Sequence, residues 1–132
     1  MKKLFQLYGQ VVTYDLTYNI IQEVSDGNRQ YSVGIFTGVN CYNKIIPFGI
    51  TITCDEHTEA FTKIFETFIE INGQPQTIIT DEQLSMSSAI KKLIDKGIYQ
   101  GNHLIDSFHV IRNFVKSSQR KDLAKELSEI IK

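Results

Sequence analysis

The 132-residue chain reads as one α/β domain: a five-stranded mixed sheet flanked by helices, in the order β-β-β-α-β-α-β-α. Three observations predict this. The first half carries three runs rich in β-branched and aromatic residues, split by turn signals. At Thr58 the apolar period changes from that of a strand to that of a helix. The short apolar run TIIT at 77–80 then stands between two helical stretches, as expected of a strand brought back parallel to an earlier one by a crossover helix.

The elements follow in order. Val11 to Ile20 (VVTYDLTYNI) is a strand whose alternation puts Val11, Thr13, Asp15, Thr17 and Asn19 on one face. Tyr14, Leu16, Tyr18 and Ile20 take the other. Asp26-Gly27-Asn28 is a turn signal, and Tyr31 to Val39 is the second strand. Asn40 to Lys44 turns the chain into a third strand, Ile45 to Thr53, where Pro47 suits an edge position. These three strands form an antiparallel meander. From Thr58 on, Ala60, Phe61, Ile64, Phe65, Phe68 and Ile69 recur at helical spacing, and Gly73 and Pro75 end that helix. Thr77 to Thr80 is a buried strand, placed beside the first. A second helix carries Met86, Ala89, Ile90, Leu93 and Ile94 on one stripe and stops at Gly97. His103 to Asp106 is a last short strand. Phe108 to Lys132 reads as one or two helices, with a break at Ser117-Ser118.

Bulk composition fits this reading and narrows the function. A chain of this length buries roughly two-thirds of its unfolded surface and holds a core unaided. Apolar residues make up 42% and charged residues 22%, and eight Phe and six Tyr supply the material for a sheet core. The net charge is −1, so no global basic field exists. That counts against tight autonomous DNA binding, and any such binding must come from a local patch. The two cysteines, Cys41 and Cys54, make no staple framework, which favours a reduced intracellular compartment. No apolar run reaches the length of a membrane span, and MKKLFQLYGQ lacks the apolar stretch of a signal peptide.

Two carboxylates stand out. Asp15 lies inside an aromatic, β-branched strand, where Asp is depleted and a buried unpaired carboxylate is disfavoured. Asp81 follows the TIIT strand. If the two strands are neighbours, about 5 Å apart, both side chains reach one point. A divalent cation would resolve the local cost, because Mg²⁺ takes hard oxygen ligands from one or two carboxylates plus phosphate and water. Each residue also has a plainer reading. Asp15 can sit exposed on an edge strand or bond to Thr17 or Asn19, and Asp81 can cap the following helix.

FQLYGQVVTYDLTYN resembles the opening of the Mutator-like transposase domain, in which an Asp-x-Thr-Tyr element ends the first strand. TIITDEQLSMSSAI resembles that family's second-aspartate segment, and HLIDSFHVIRN the segment after it, with a Cys-or-Asp-x-x-His element read here as Asp106-Ser107-Phe108-His109. The resemblance spans roughly residues 5 to 115. It implies an RNase H-like fold and an Asp-Asp-Glu site holding Mg²⁺ or Mn²⁺, two ions in the complete site. It further implies hydrolysis of a DNA phosphodiester, then attack of the freed 3′-hydroxyl on target DNA. Asp15 and Asp81 match the first two ligands; Asp106 and His109 match the accessory motif, with His109 a candidate catalytic group. The implied partners are transposon ends and target DNA, with self-association and no membrane, in the nucleus of a eukaryote or the cytoplasm of a bacterium. The family's third acid follows a helical insertion, and this chain is expected to end before or within it. Asp122, Glu126 and Glu129 are the only side-chain carboxylates after Asp106; they read as solvent-facing residues of a terminal helix, or as the source of a third ligand if the insertion is absent.

Arg112, Lys116 and Arg120 recur every fourth residue and Lys121 adjoins them, which makes either a phosphate-contacting stripe or a solvated helix face. His109 can shuttle a proton or bond to Asp106. Cys54-Asp55-Glu56-His57 has ligand-like spacing but no second pair, which argues against zinc. The rival functions are a domesticated, inactive transposase-derived module that binds DNA or protein, and another RNase H-like nuclease or RNA–DNA hybrid hydrolase.

Overall fold

Val11–Gln22 forms the longest strand, β1, and the sheet is assembled around it. Gln30–Val39 (β2) pairs antiparallel with β1, and Ile45–Thr53 (β3) pairs antiparallel with β2. Thr77–Thr80 (β4) lies on the other side of β1 and runs parallel to it; Asn102–Ile105 (β5) runs parallel to β4. The order is β3-β2-β1-β4-β5, so the meander and the return of the fourth strand to the first stand as expected. The computed structural model describes residues 2–22, 30–108, 110–112, 126 and 129, and for 19–22 the backbone alone.

Three helices accompany the sheet among the described elements. Thr58–Asn72 (α2) and Leu84–Asp95 (α3) follow the apolar stripes read from the sequence, and they pack on one another. Phe61, Phe65, Phe68 and Ile69 of α2, and Met86, Ala89, Ile90 and Leu93 of α3, are buried. Ile94 is a departure: it lies on the border of the stripe and is 40% exposed. Gly97 holds φ 72° just past α3, a left-handed conformation that favours glycine. A short first helix, Lys2–Tyr8 (α1), was not foreseen. It is too short to show a period, and it is held by tertiary packing: Phe5 is buried edge-on against Phe48 and Phe68, with ring centroids 5.3 and 5.8 Å apart.

The core lies on one face of the sheet. Val12, Tyr14 and Leu16 of β1 are buried there with Phe36 of β2 and Ile78 of β4, as the alternation requires. Phe36 stacks on Phe68 at 3.9 Å, and Tyr14 sits between Phe36 (4.4 Å) and Phe65 (5.2 Å). A bulge between Phe36/Thr37 and Gly49/Pro47 leaves Phe48 as the extra residue, buried against Phe5. Pro47 falls on the edge strand, as its missing N–H demands. The opposite face of the sheet carries Val11, Thr13, Asp15, Thr17 and Ile35, and Val11, Asp15, Thr17 and Ile35 are exposed on it.

Candidate functional site

Parallel register lines up the ends of three adjacent strands. Tyr14 of β1 pairs with Thr80 of β4, and Thr80 pairs with Ile105 of β5. One residue further on come Asp15, Asp81 and Asp106. Alternation puts them on the face of Thr13, Ile79 and Leu104, which are themselves in register, away from the aromatic core. All three aspartates line one cleft of about 240 Å³, whose other walls include Thr13, Tyr14, Thr17, Ile35, Thr37 and Thr80. A larger depression of about 540 Å³ adjoins it through Thr13, Thr37 and Ile45, lined further by Leu7, Val11 and Val39.

The edge-strand reading of Asp15 and the capping reading of Asp81 do not describe what is seen, although Asp15 is exposed. β1 is an interior strand, between β2 and β4, so Asp15 is not on an edge. The cap position of α3 falls on Gln83, two residues beyond Asp81. Asp81 instead accepts a hydrogen bond from the Gln83 backbone N–H at 3.3 Å, a local Asx-type turn. Asp106 does the same at the start of the helical residues after β5: its Oδ1 accepts from Phe108 N–H at 2.9 Å.

Side chains missed by sequence reasoning hold this corner together. The Tyr18 hydroxyl donates to Gln83 Oε1 at 2.9 Å, tying β1 to the first turn before α3. Its pKa is pushed up to about 12, first by partial burial and then by the negative charges of Asp81, Glu56 and Asp15. Beneath Asp81, the fully buried Thr80 hydroxyl donates to the Asp81 carbonyl oxygen at 3.0 Å and lies 2.9 Å from His103 Nε2. The Asp106 N–H donates to the Thr80 carbonyl at 2.7 Å. Burial pushes the pKa of His103 down, which favours its neutral ring. No short-range pattern announces these links, because they join residues 65 and 23 positions apart.

The donor chemistry suits a hard divalent cation. Two aspartates on neighbouring strands, one exposed and one half-buried, offer carboxylate oxygens to one cleft. Among the described residues, no three Asp, Glu, His or Cys side chains group closely enough to hold a metal ion. Asp106 thus borders the cleft without completing a three-ligand set. Arg112 is exposed on the helical residues after β5, and Glu126 and Glu129 are helical and exposed. His109, Lys116, Arg120, Lys121 and Asp122 lie outside the described residues. So do the turn at 26–28 and the break at 117–118. No described helix is long and apolar enough to cross a membrane.

The comparisons with known proteins agree with this architecture. The family model of the MULE transposase domain matches residues 11–113. Among solved structures, the HTLV-2 integrase catalytic core domain in complex with magnesium, in its trimeric form, superposes with a TM-score of 0.55. The identity is 10%, over 93% of this chain and 82% of that one. Its dimeric form gives a TM-score of 0.51 at 14% identity, over 85% and 72% of the two chains. Likeness at this level of identity speaks for the fold, which is RNase H-like. No curated protein matches the chain.

Proposed function

The chain belongs to the MULE transposase domain family, and from that premise we propose that it is the catalytic core of a metal-dependent DNA transposase. The single observation that carries this reading is the register of β1 with β4, after which Asp15 and Asp81 open onto one cleft. In this proposal the two carboxylates hold Mg²⁺ or Mn²⁺, and a third acid comes from outside the described residues. The bound cation would supply Lewis-acid stabilisation of a phosphodiester and of the oxygen that attacks it. The chain's own residues bind and orient: Thr13, Thr17 and Thr37 line the cleft with hydroxyls, and the aromatic core behind β1 fixes the strand that carries Asp15. The reaction is hydrolysis of a DNA phosphodiester, followed by attack of the freed 3′-hydroxyl on target DNA. DNA contact comes from the basic run that begins at Arg112. Magnesium in the HTLV-2 core, and its dimeric and trimeric forms, support a divalent cation and self-association here as well.

Calorimetric titration with Mn²⁺ tests the assignment. Binding is expected in the wild type, with most of it lost in Asp15→Asn and in Asp81→Asn. Equal affinity in all three proteins refutes the ligand pair and leaves a DNA- or protein-binding module as the better description.

A further inference from the structure

We propose that His103 is a positioning residue, which through the buried hydroxyl of Thr80 sets the main chain at Asp81; the inference rests on Asp81 being a ligand as proposed above.

Thr80 and Ser32 are the buried polar residues among those described, and Thr80 is fully buried. A buried hydroxyl must satisfy both its donor and its acceptor. The single Thr80 proton goes to the Asp81 carbonyl oxygen at 3.0 Å. The contact of 2.9 Å to His103 Nε2 is then one in which the ring donates. That assignment places a proton on His103 Nε2. His103 stands on β5 opposite Ile78, two residues before the Thr80–Ile105 pair and on the same sheet face as Thr80. Its ring therefore reaches along the core face to Thr80, while Asp81 emerges on the other face. The carbonyl that Thr80 holds belongs to the peptide that carries the Asp81 side chain outward. From the far side, Tyr18 holds Gln83. The turn between β4 and α3 is thus fixed from both neighbouring strands. The Asp106 N–H, donating to the Thr80 carbonyl at 2.7 Å, adds a second link from β5. A ligand carboxylate needs this kind of support, because outer hydrogen bonds decide where it points.

Side-chain geometry supplies the test. The Gln amide nitrogen occupies the place of Nε2 and donates; the Asn amide is one bond shorter, and Leu has no donor. Supporting contacts of this kind are worth roughly 10- to 100-fold in metal affinity. His103→Leu and His103→Asn are expected to weaken Mn²⁺ binding by about tenfold or more. His103→Gln is expected to stay within about threefold of wild type. From the other end, Thr80→Ser should behave as wild type and Thr80→Val as His103→Leu. A second readout needs no metal: the backbone amide resonances of residues 81–83 should move in His103→Leu and hold in His103→Gln, and the ring nitrogen shifts of His103 should report Nε2–H.

The proposal is overturned if His103→Leu binds as wild type does. It is also overturned if His103→Gln is as weak as His103→Leu, or if the 81–83 amides ignore the substitution. A wild type that binds no Mn²⁺ defeats the ligand reading instead, and the amide shifts then decide the His103 link alone. If His103→Leu does not fold, the Thr80→Ser and Thr80→Val pair decides it by the same two readouts.

Discussion

Gly34→Ala places one methyl group where two side chains already meet. Gly34 lies on β2 between Tyr14 of β1 and Thr51 of β3, whose hydroxyls hydrogen-bond across it at 2.8 Å. A Cβ there would run into the Tyr14 hydroxyl and stand 2.5 Å from Thr51 Oγ1 and from the Tyr14 ring. Tyr14 cannot retreat, because Phe36 and Phe65 hold its ring at 4.4 and 5.2 Å. Thr51 can rotate, but only by giving up the hydrogen bond. Overpacking costs about 1–3 kcal/mol, and the lost bond adds about 1 kcal/mol. The sum, about 2–4 kcal/mol, is a large part of the 5–15 kcal/mol typical of a domain. It should lower Tm by roughly 6–20 °C. Tyr14→Phe removes the hydrogen bond without adding bulk and should cost only about 1 kcal/mol. Gly97→Ala meets nothing within 4 Å and carries only left-handed backbone strain, about 1–2 kcal/mol. Urea and thermal unfolding followed by circular dichroism rank the three. If Gly34→Ala is no worse than Tyr14→Phe, the packing around Tyr14 is not as described.

Three further outcomes are expected. Burial holds the His103 pKa below its ordinary 6.5, so the unfolded chain takes up the proton first as pH falls. Stability should be level above about pH 6.5 and decline below it, and His103→Gln should flatten that decline; identical pH profiles in unfolding experiments would exclude the burial. Tyr18→Phe removes the donor to Gln83 at a half-exposed site. It should cost at most about 1 kcal/mol yet speed amide hydrogen exchange at 81–83, and unaltered exchange there would contradict the clasp. Arg112→Ala should weaken DNA binding for all sequences alike and lower the salt slope by about one. Fluorescence anisotropy across a salt series reads this, and an unchanged slope marks Arg112 as a solvated residue.

Much of the fold was legible because its signals are local or periodic. The runs at 31–39, 45–53 and 77–80 become β2, β3 and β4 with little change at their ends. The stripes of Phe61, Phe65 and Phe68, and of Met86, Ala89, Ile90 and Leu93, are buried as their spacing requires. α1 escaped notice since seven residues leave no period to read, and Phe5 is held by partners more than 40 positions away. The bulge at Phe48 was equally hidden, because nothing in IIPFGITIT marks which residue is skipped.

At the site, alternation in VVTYDLTYNI and the crossover pattern were enough to bring Asp15 and Asp81 to one sheet face. Asp106 arrived from a motif and not from geometry, and its place in the same row follows from β5 lying beside β4. The supports of that corner could not be read at all. Tyr18 looks like any core-facing aromatic, and His103 carries no spacing signal toward Thr80. Pairs of this kind exist only once the strands are in register.

Mn²⁺-induced line broadening of backbone amides tests the placement of the cation most directly, because broadening falls off with distance from the bound ion. At low Mn²⁺, amides at 13–17, 80–83 and 106 should vanish first, while those around Gly97 and the outer turns of α2 persist. Early loss of signal along the acidic residues Glu59, Glu66 and Glu70, with the ends of β1 and β4 unaffected, would contradict it.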